Sequence, residues 1–164
     1  MPNSFFRKLA AKVVLLIKNP EKGIGTELFE AIAQIVPQSC VEAIILDNID
    51  KPTKLLLTPR NDNRYQNLVH CPGSFIRFGE TFEQTLHRLI KNELSVGIRR
   101  FRYTNYSYSF LEKHPTDGNR HLIGFVFLVE INNNPKTGNW FDHIPSNLML
   151  HHKDFLKKTL GWTE

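Results

Sequence analysis

The sequence is poor in cysteine and has no long apolar run, and both absences limit what the protein can be. Its two cysteines, Cys40 and Cys71, are not spaced as CxxC, so we expect reduced thiols in the cytoplasm and neither a disulfide framework nor a zinc ribbon. Basic residues surround an apolar core at 13–17 in a loose imitation of a signal peptide, but no Ala-x-Ala cleavage site follows. No stretch approaches the roughly 20 apolar residues that cross a bilayer, so neither export nor membrane insertion is expected.

The sequence also lacks repeats, low-complexity tracts and any excess of acidic residues. Its 164 residues suit one domain, at roughly 150 residues per domain, and its 41% hydrophobic and 23% charged residues exclude a disordered tail, a collagen-like fibre and a coiled coil. Lys and Arg number 21 against 16 Asp and Glu, which leaves a net charge of +5. This charge favours anionic ligands such as phosphates, but it does not choose between a nucleotide, a nucleic acid and solubility alone.

Hydrophobic periodicity predicts an α/β (α+β) fold in which helices sandwich a mixed β-sheet. Residues 1–25 end in a turn-rich charged stretch, and we interpret them as an N-terminal extension of a domain at 26–164. Thr26 is the expected N-cap of a helix that Pro37 ends, and Thr81 is the expected N-cap of another. The predicted elements are a helix at 26–37, strands at 40–47 and 55–58, a strand and loop at 68–78, and a helix at 82–94. Strands at 101–111 and 121–131, joined by a loop at 114–119, and a helical segment at 145–160 complete the domain.

Residues 72–95, with the sequence PGSFIRFGETFEQTLHRLIKNELS, carry the strongest chemical signal. A glycine-bearing loop that runs into a helix lets backbone groups approach a phosphate chain closely, and a carboxylate on the helix can hold the cation that neutralises it. The apolar stripe that turns this helix toward a core consists of Phe82, Leu86, Leu89, Ile90 and Leu94. The stretch therefore predicts a site for a metal-bound pyrophosphate.

This stretch resembles the Nudix box, Gly-x5-Glu-x7-Arg-Glu-U-x-Glu-Glu-x-Gly-U, in which U is aliphatic. The residues that match it without gaps are Glu80, Arg88, Ile90, Glu93 and Val96. The residues that depart from it are Ser74 and Ser95 at the two glycines, and Leu89 and Asn92 at two of the glutamates. The three helix glutamates of the box share one face, so Glu93 is the carboxylate left there, which suits a single magnesium ion and not a multi-metal cluster.

The reduced box resembles that of the GDP-mannose mannosyl hydrolases, which share Pro72-Gly73, Glu80-Thr81, Arg88-Leu89 and Glu93-Leu94 at matching spacing. The similarity extends over most of the chain, from the helix at 26–37 to the last helix. These enzymes cleave a nucleotide sugar at the sugar carbon and release the sugar and a nucleoside diphosphate. The resemblance implies a Nudix fold, a GDP-mannose-like nucleoside diphosphate sugar as substrate, Mg²⁺ as cofactor and a homodimer, with no nucleic acid or membrane as partner.

The resemblance also assigns roles to individual residues. The magnesium ion would be held by the carbonyl group of Gly73 and the carboxylate of Glu93, and Arg60 would stabilise the departing nucleoside diphosphate as charge develops on it. Arg60 and Glu93 are thus the predicted catalytic residues. The predicted substrate contacts are Glu42, Arg60 and Arg88.

Several of these residues also have a plainer interpretation. Glu80 and Arg88 form the structural part of the motif, and an ion pair that braces the loop is favoured over substrate contact by Arg88. Gly73 could be a turn glycine. Arg60 and Glu93 could be solvated side chains at the end of a strand and on a helix surface.

Two departures from the family bear on activity. Phe75 stands where the family has an arginine, and residues 132–139 replace a loop whose Gln-His pair supplies a metal ligand and the general base. Loss of that base would cost about 10²–10⁴-fold in rate. Possible substitutes are His121, His143, His151 and His152, although the adjacent pair at 151–152 is typical of an exposed helix end. The alternatives are therefore a catalytically impaired Nudix-fold nucleotide-binding module and a pyrophosphatase of another nucleoside diphosphate derivative.

Overall fold

The computed structural model of the chain describes residues 4–60, 65–112 and 119–162. Of the predicted loop at 114–119, all but Asn119 lies outside the described residues. The elements are, in chain order, α1 (Ser4–Val14), a short 3-10 helix (Pro20–Lys22), α2 (Thr26–Ala33), β1 (Gln38–Leu46), β2 (Leu55–Pro59), β3 (Val69–His70), β4 (Gly73–Phe75), α3 (Phe82–Leu94), β5 (Ile98–Glu112), β6 (Arg120–Ile131), β7 (Asn139–Phe141) and α4 (Leu150–Leu160).

A mixed sheet of seven strands forms the centre of the described structure. Its main path runs β3-β2-β1-β6-β5, and β4 pairs with β1 while β7 pairs with β2. β1 is parallel to β6 and antiparallel to β2 and β4, and β5 and β6 form a long antiparallel pair. Because α3 and α4 belong to separate cores on the two faces of this sheet, the predicted sandwich is confirmed.

The helix that follows the glycine loop forms as its sequence predicts. The Thr81 hydroxyl accepts the backbone N–H of Gln84 at 3.2 Å, and the Gln84 side chain accepts the backbone N–H of Thr81 at 2.8 Å, which completes a capping box. The apolar stripe is buried from Leu86 to Leu94, and Phe82 at its start packs against Phe125 with ring centres 4.8 Å apart. Each fully buried leucine or isoleucine contributes about 1.5–3 kcal/mol, so this stripe fixes α3 on the sheet.

Alternation along β1 places one acidic residue on the opposite face. The odd-numbered residues from Val41 onward pack against α3, whereas Ile44 and Leu46 belong to the core that contains α4. Glu42 shares their face and is only 7% exposed. The fold therefore directs a buried carboxyl group toward α4.

The first predicted helix of the domain is shorter than expected and begins differently. α2 starts at Thr26 itself, its N-cap is Gly25 with a φ of 82°, and no side chain caps it. It ends at Ala33 and not at Pro37, since Ile35 is 80% exposed and finds no core to pack against within the described residues. Thr26 is thus the first helical residue, and its predicted role as N-cap is wrong.

Both cysteines are free and buried, as the sequence predicts. Burial raises the pKa of Cys40 to about 12 and raises that of Cys71 well above its ordinary value, which disfavours the nucleophilic thiolate form of both. Among helices in the described part of the chain, none has the length and hydropathy needed to cross a membrane.

Candidate active site

Arg88 braces the loop that precedes α3. Its Nε and Nη2 donate to the two carboxylate oxygens of Glu80 at 2.6 and 2.7 Å. Nη1 donates to Ser74 Oγ at 3.0 Å, and Nη2 also donates to the Phe75 carbonyl oxygen at 2.8 Å. The predicted ion pair is confirmed, and Ser74, at the first glycine position of the box, accepts a hydrogen bond that glycine could not. Substrate contact by Arg88 stays a prediction.

We expect the substitution Glu80→Gln to weaken this brace and lower the free energy of unfolding by about 1–3 kcal/mol at neutral pH. The hydrogen bonds from Arg88 lower the pKa of Glu80 from an ordinary 4.5 to about 2. Because the folded pKa is depressed, the contribution is fully present above about pH 4.5 and is lost as pH falls toward 2. Urea unfolding of both proteins at neutral pH and near pH 3 measures this difference.

Glu83→Gln is the matched control for this experiment. It removes the same charge three residues further along the chain, in the first turn of α3, at a side chain that is 65% exposed. Its effect should be small at either pH. An equal loss of stability in the two variants would contradict the brace.

Gly73 lies in strand β4, opposite Glu42 of β1. A Cβ at residue 73 would lie 2.4 Å from Glu42 Oε2, a distance that real Cβ contacts do not reach. The Tyr108 hydroxyl donates to Glu42 Oε1 at 2.8 Å and holds the carboxyl group in place. The Tyr108 ring lies directly against Gly124, where any side chain would collide with it. Glycine at position 73 is therefore required by the close approach of Glu42, and the alternative of a turn glycine is wrong.

The substitution Gly73→Ala should therefore act through Glu42. The added methyl group overpacks the contact and should cost about 1–3 kcal/mol of unfolding free energy. In a Glu42→Ala background the carboxyl group is gone, so the same methyl group should cost much less. Urea unfolding of the four proteins in this double-mutant cycle tests the contact, and simple additivity of the two losses would refute it.

Three ionisable groups interact electrostatically: Glu42, Glu93 and Arg60. Burial raises the pKa of Glu42 to about 8 and the pKa of Glu93 to about 7. The Glu93 charge adds to the rise at Glu42, whereas the Arg60 charge opposes the rise at both carboxyl groups. Glu42 also contacts Gly73, so Glu42 links the predicted site residues: Gly73 by contact, and Glu93 and Arg60 by electrostatic interaction. Joint metal ligation by Gly73 and Glu93 stays a prediction.

Arg60 is positioned just after β2. Its backbone N–H donates to the Leu68 carbonyl oxygen at 2.8 Å. Its guanidinium lies 5.3 Å from the centre of the Tyr65 ring, within the range of a cation–π interaction. The Tyr65 hydroxyl in turn donates to Glu112, so the ring itself is held. Arg60 is thus oriented by its surroundings and is not simply a solvated side chain at a strand end.

A cavity of about 120 Å³ lies beside Gly73. The charged and titratable side chains that line it include Glu42, Arg60, His70, Arg120, His151 and His152. Phe75, at the position of a family arginine, also lines the cavity and packs against Phe29 with ring centres 4.8 Å apart. Glu93 is not among the described lining residues, and its link to the cavity is electrostatic, through Arg60 and Glu42.

The interpretation of His151 and His152 as an exposed helix end is wrong. His152 is 3% exposed because it shares the inward face of α4 with Phe155 and Leu156, at helical spacing i, i+3 and i+4. His151 lines the cavity with it. Of the other candidate bases, His121 and His143 are exposed; His121 forms a hydrogen bond with Ser109, and His143 forms one with Asp142.

The two histidines of α4 differ in what they can do. His152 Nδ1 accepts the backbone N–H of Cys71 at 2.9 Å, so a neutral ring must carry its proton on Nε2. Burial, followed by the charges of neighbouring groups, lowers the pKa of His152 well below its ordinary value. Burial and then Arg60 lower the pKa of His151 to about 4. Both rings are therefore neutral near pH 7, and His151 is the one with a basic nitrogen free of that backbone hydrogen bond.

The donor groups of this region fit a magnesium ion through oxygen atoms. One ligand atom each of Glu42, His151 and His152 lies within 4.8 Å of the others, but the Cys71 N–H occupies one nitrogen of His152 and a proton the other. Magnesium also prefers oxygen ligands. Glu42, beside Gly73, interacts electrostatically with Glu93, and a divalent cation bound between these two carboxyl groups would favour the ionised form of both.

Two positions of the box that depart from the family have clear surroundings. Leu89 is 2% exposed and packs in the core between α3 and the sheet, so an apolar contact replaces the glutamate that the box has at this position. Asn92 is exposed. The carboxyl group that interacts electrostatically with Glu93 belongs instead to Glu42 on β1, far away in sequence.

Comparison with known proteins agrees with this architecture. The sequence model of the NUDIX domain matches residues 37–158. A protein from Methanocaldococcus jannaschii (strain ATCC 43067 / DSM 2661 / JAL-1 / JCM 10045 / NBRC 100440), named ADP-ribose pyrophosphatase, is 28% identical over 130 residues, which span 73% of this chain and 74% of the relative.

Two solved structures share the fold. A MutT NUDIX hydrolase from Burkholderia pseudomallei has a TM-score of 0.61 and 20% identity, over 74% of this chain and 97% of the other. A MutT/nudix family protein from Enterococcus faecalis has a TM-score of 0.60 and 16% identity, over 98% of this chain and 74% of the other. At these identities the likeness concerns the fold alone.

Proposed function

Because the chain belongs to the NUDIX domain family, we propose that it is a Nudix hydrolase of nucleoside diphosphate sugars that depends on a divalent cation. The observation that carries the proposal is the electrostatic interaction of Glu42 with Glu93 and Arg60, together with the contact between Glu42 and Gly73. Gly73 directly precedes Ser74 and Phe75, which Arg88 holds together with Glu80. Two carboxylates and an arginine suit a diphosphate and its cation, as the basic net charge also does.

Gly73 and Glu93 are the proposed metal ligands, through a backbone carbonyl and a carboxylate. When bound, Mg²⁺ would neutralise the diphosphate and fix its orientation. The Gly73 backbone can approach the diphosphate because no side chain stands there. Glu42 is the proposed substrate contact on the other side of Gly73, held by its hydrogen bond from Tyr108.

Arg60 is the proposed partner of the leaving group. Charge develops on the phosphate oxygen as the bond to the sugar breaks, and a fixed guanidinium stabilises that charge without reorganising. The Tyr65 ring keeps the Arg60 guanidinium oriented, and Arg60 lines the cavity. Arg60 also favours the ionised form of Glu93, which the proposed metal site requires.

His151 is the proposed general base in place of the histidine that residues 132–139 lack. It lines the cavity and is neutral near pH 7, so it can accept the proton of the attacking water. In this reaction the water oxygen bonds to the sugar carbon, the carbon–oxygen bond to the phosphate breaks, and the products are the free sugar and a nucleoside diphosphate. The resemblance of the box to that of GDP-mannose mannosyl hydrolases supports this bond and a GDP-mannose-like substrate.

Cleavage at phosphorus is the second candidate. Two observations favour it: the M. jannaschii relative is named ADP-ribose pyrophosphatase, and Glu42 adds a second carboxylate near Glu93. Attack at phosphorus would release a nucleoside monophosphate and a sugar phosphate. Both candidates take a nucleoside diphosphate joined to a sugar, so they share the site and differ in the bond that breaks.

The experiment that tests the proposal is incubation with Mg²⁺ and a panel containing GDP-mannose, ADP-ribose and other nucleotide sugars in ¹⁸O-water. Free sugar that carries ¹⁸O, together with nucleoside diphosphate, supports cleavage at carbon. Nucleoside monophosphate supports cleavage at phosphorus. Tight nucleotide binding without any product would overturn the enzyme assignment in favour of a binding module.

Three further proposals rest on sequence and resemblance. Free, buried thiols support a reducing compartment such as the cytoplasm. A homodimer follows from the resemblance to the mannosyl hydrolases. The division between an extension at 1–25 and a domain at 26–164 is supported by a family match that begins at residue 37.

A further inference from the structure

The N-terminal helix α1 packs differently from every other long helix in the described residues. It buries none of its residues, whereas α2, α3 and α4 each bury at least one. Phe6 is 60% exposed, Leu9 48% and Val13 53%. In a soluble domain such large apolar side chains are normally covered, so a contiguous exposed set indicates a binding surface.

Four exposed apolar residues of α1 form a stripe along one helical face, and exposed Phe5 and Val14 flank this stripe. Phe6, Leu9, Ala10 and Val13 follow the spacing i, i+3, i+4 and i+7, which aligns them along one side of the helix. Leu16, just beyond the helix end, continues the same side and is 73% exposed. The apolar surface therefore extends the full length of α1.

The opposite face of α1 is basic. Arg7 and Lys8 begin it, Lys12 continues it one turn later, and α1 contains no acidic residue. The first acidic residue of the whole chain is Glu21, and Lys18 precedes it. A helix with phenylalanine and leucine on one side, and with cations as its charged residues on the other, has the composition of helices that lie in a membrane interface.

We propose that α1 binds the surface of a membrane that contains anionic phospholipids, with its apolar face in the acyl boundary and its basic face among the phosphate groups. Charge complementarity selects this partner, because all three charged side chains of the helix are cations. An α-helix rises 1.5 Å per residue, so eleven residues cannot span a bilayer and can only lie along it. Binding of this kind needs no spanning segment and is independent of the proposed hydrolase site.

Co-sedimentation of the full chain with lipid vesicles tests the proposal. Vesicles of phosphatidylcholine mixed with phosphatidylglycerol should bind the protein on the order of 100-fold more tightly than phosphatidylcholine alone, and added salt should weaken the binding. Leu9→Glu removes apolar contact and adds a repelled charge, and the double variant Lys8→Gln, Lys12→Gln removes two cations. Each should reduce binding to the mixed vesicles at least tenfold.

Matched controls distinguish binding by α1 from the effect of lysines or exposed leucines elsewhere on the surface. Lys51→Gln with Lys54→Gln removes the same charge at exposed positions between β1 and β2, and Leu150→Glu alters a leucine that is 77% exposed outside α1. Both controls should bind the mixed vesicles like the unaltered chain. Circular dichroism of every variant checks that the domain is folded.

Three results would overturn the proposal. Equal binding to neutral and anionic vesicles, or binding to neither, removes the basis for an anionic membrane. Loss of binding in the lysine variant with full retention in Leu9→Glu indicates charge adsorption alone, without the apolar face. A change in oligomeric mass for Leu9→Glu, by light scattering without vesicles and with vesicle binding unchanged, assigns the face to a second copy of the chain.

Discussion

We expect Glu93→Gln to lower kcat on a nucleoside diphosphate sugar by about 10³-fold, because a bound cation supplies several kcal/mol of transition-state stabilisation. Glutamine keeps the size of the side chain but cannot supply the negative charge. The loss should fall on kcat more than on KM, and the concentration of Mg²⁺ needed for half-maximal rate should rise. Steady-state kinetics over a range of Mg²⁺ concentrations measure all three quantities.

The control for Glu93→Gln is Glu83→Gln, on the same helix and 65% exposed. It should leave kcat and the Mg²⁺ dependence unchanged. A Glu93→Gln protein that is folded and turns over at the original rate would remove Glu93 from the site. A rate loss without any change in Mg²⁺ dependence would assign Glu93 a role other than metal ligation.

The second large effect is expected for Arg60→Met, with a loss of kcat of about 10²–10³-fold. The leaving diphosphate would lose the guanidinium that faces its developing charge. Arg60 also lowers the pKa of Glu93 and of His151, so both pKa values should rise when it is removed. Glu93 must be ionised and His151 neutral for the proposed reaction, so the ascending limb of kcat against pH should move to higher pH.

Arg60→Lys and Arg102→Met complete this experiment. Lysine keeps the positive charge but lacks the planar guanidinium that donates paired hydrogen bonds. Compared with Arg60→Met, Arg60→Lys should therefore retain more of kcat and most of the original pH profile. Arg102 is an exposed cation of β5 that pairs with Asp50 at 3.5 Å, and its replacement should change neither quantity. A folded Arg60→Met enzyme with an unshifted pH profile would contradict the electrostatic effect of Arg60 on Glu93 and His151.

The sequence predicts the parts of the site that depend on local patterns. Thr81 followed by Gln84 and an apolar stripe defines α3, and the Nudix box spacing identifies Glu80 and Arg88 as a pair. These contacts join residues fewer than 15 positions apart, where propensity and helical spacing are informative. The hydrophobic β1–β2 hairpin follows from the same kind of signal.

The contacts of Glu42 depend on long-range packing, which no local pattern shows. Its Tyr108 partner is 66 positions away, and the histidines of α4 reach it only because β1 and α4 share a core. Two signals were available in the sequence. Glu42 interrupts an apolar strand, where burying a charged group is costly unless it has a partner. His152 has the helical spacing that places it on the same face as Phe155 and Leu156.

The central claim is that Gly73 and Glu93 hold one divalent cation beside Glu42 and Arg60. Anomalous diffraction from crystals soaked in Mn²⁺ with a nucleoside diphosphate tests it most directly. We predict a single strong peak within coordination distance of both the Gly73 carbonyl oxygen and a Glu93 carboxylate oxygen, in contact with the diphosphate. A peak bound elsewhere, with the Glu93 carboxylate directed away from Gly73, would contradict the claim.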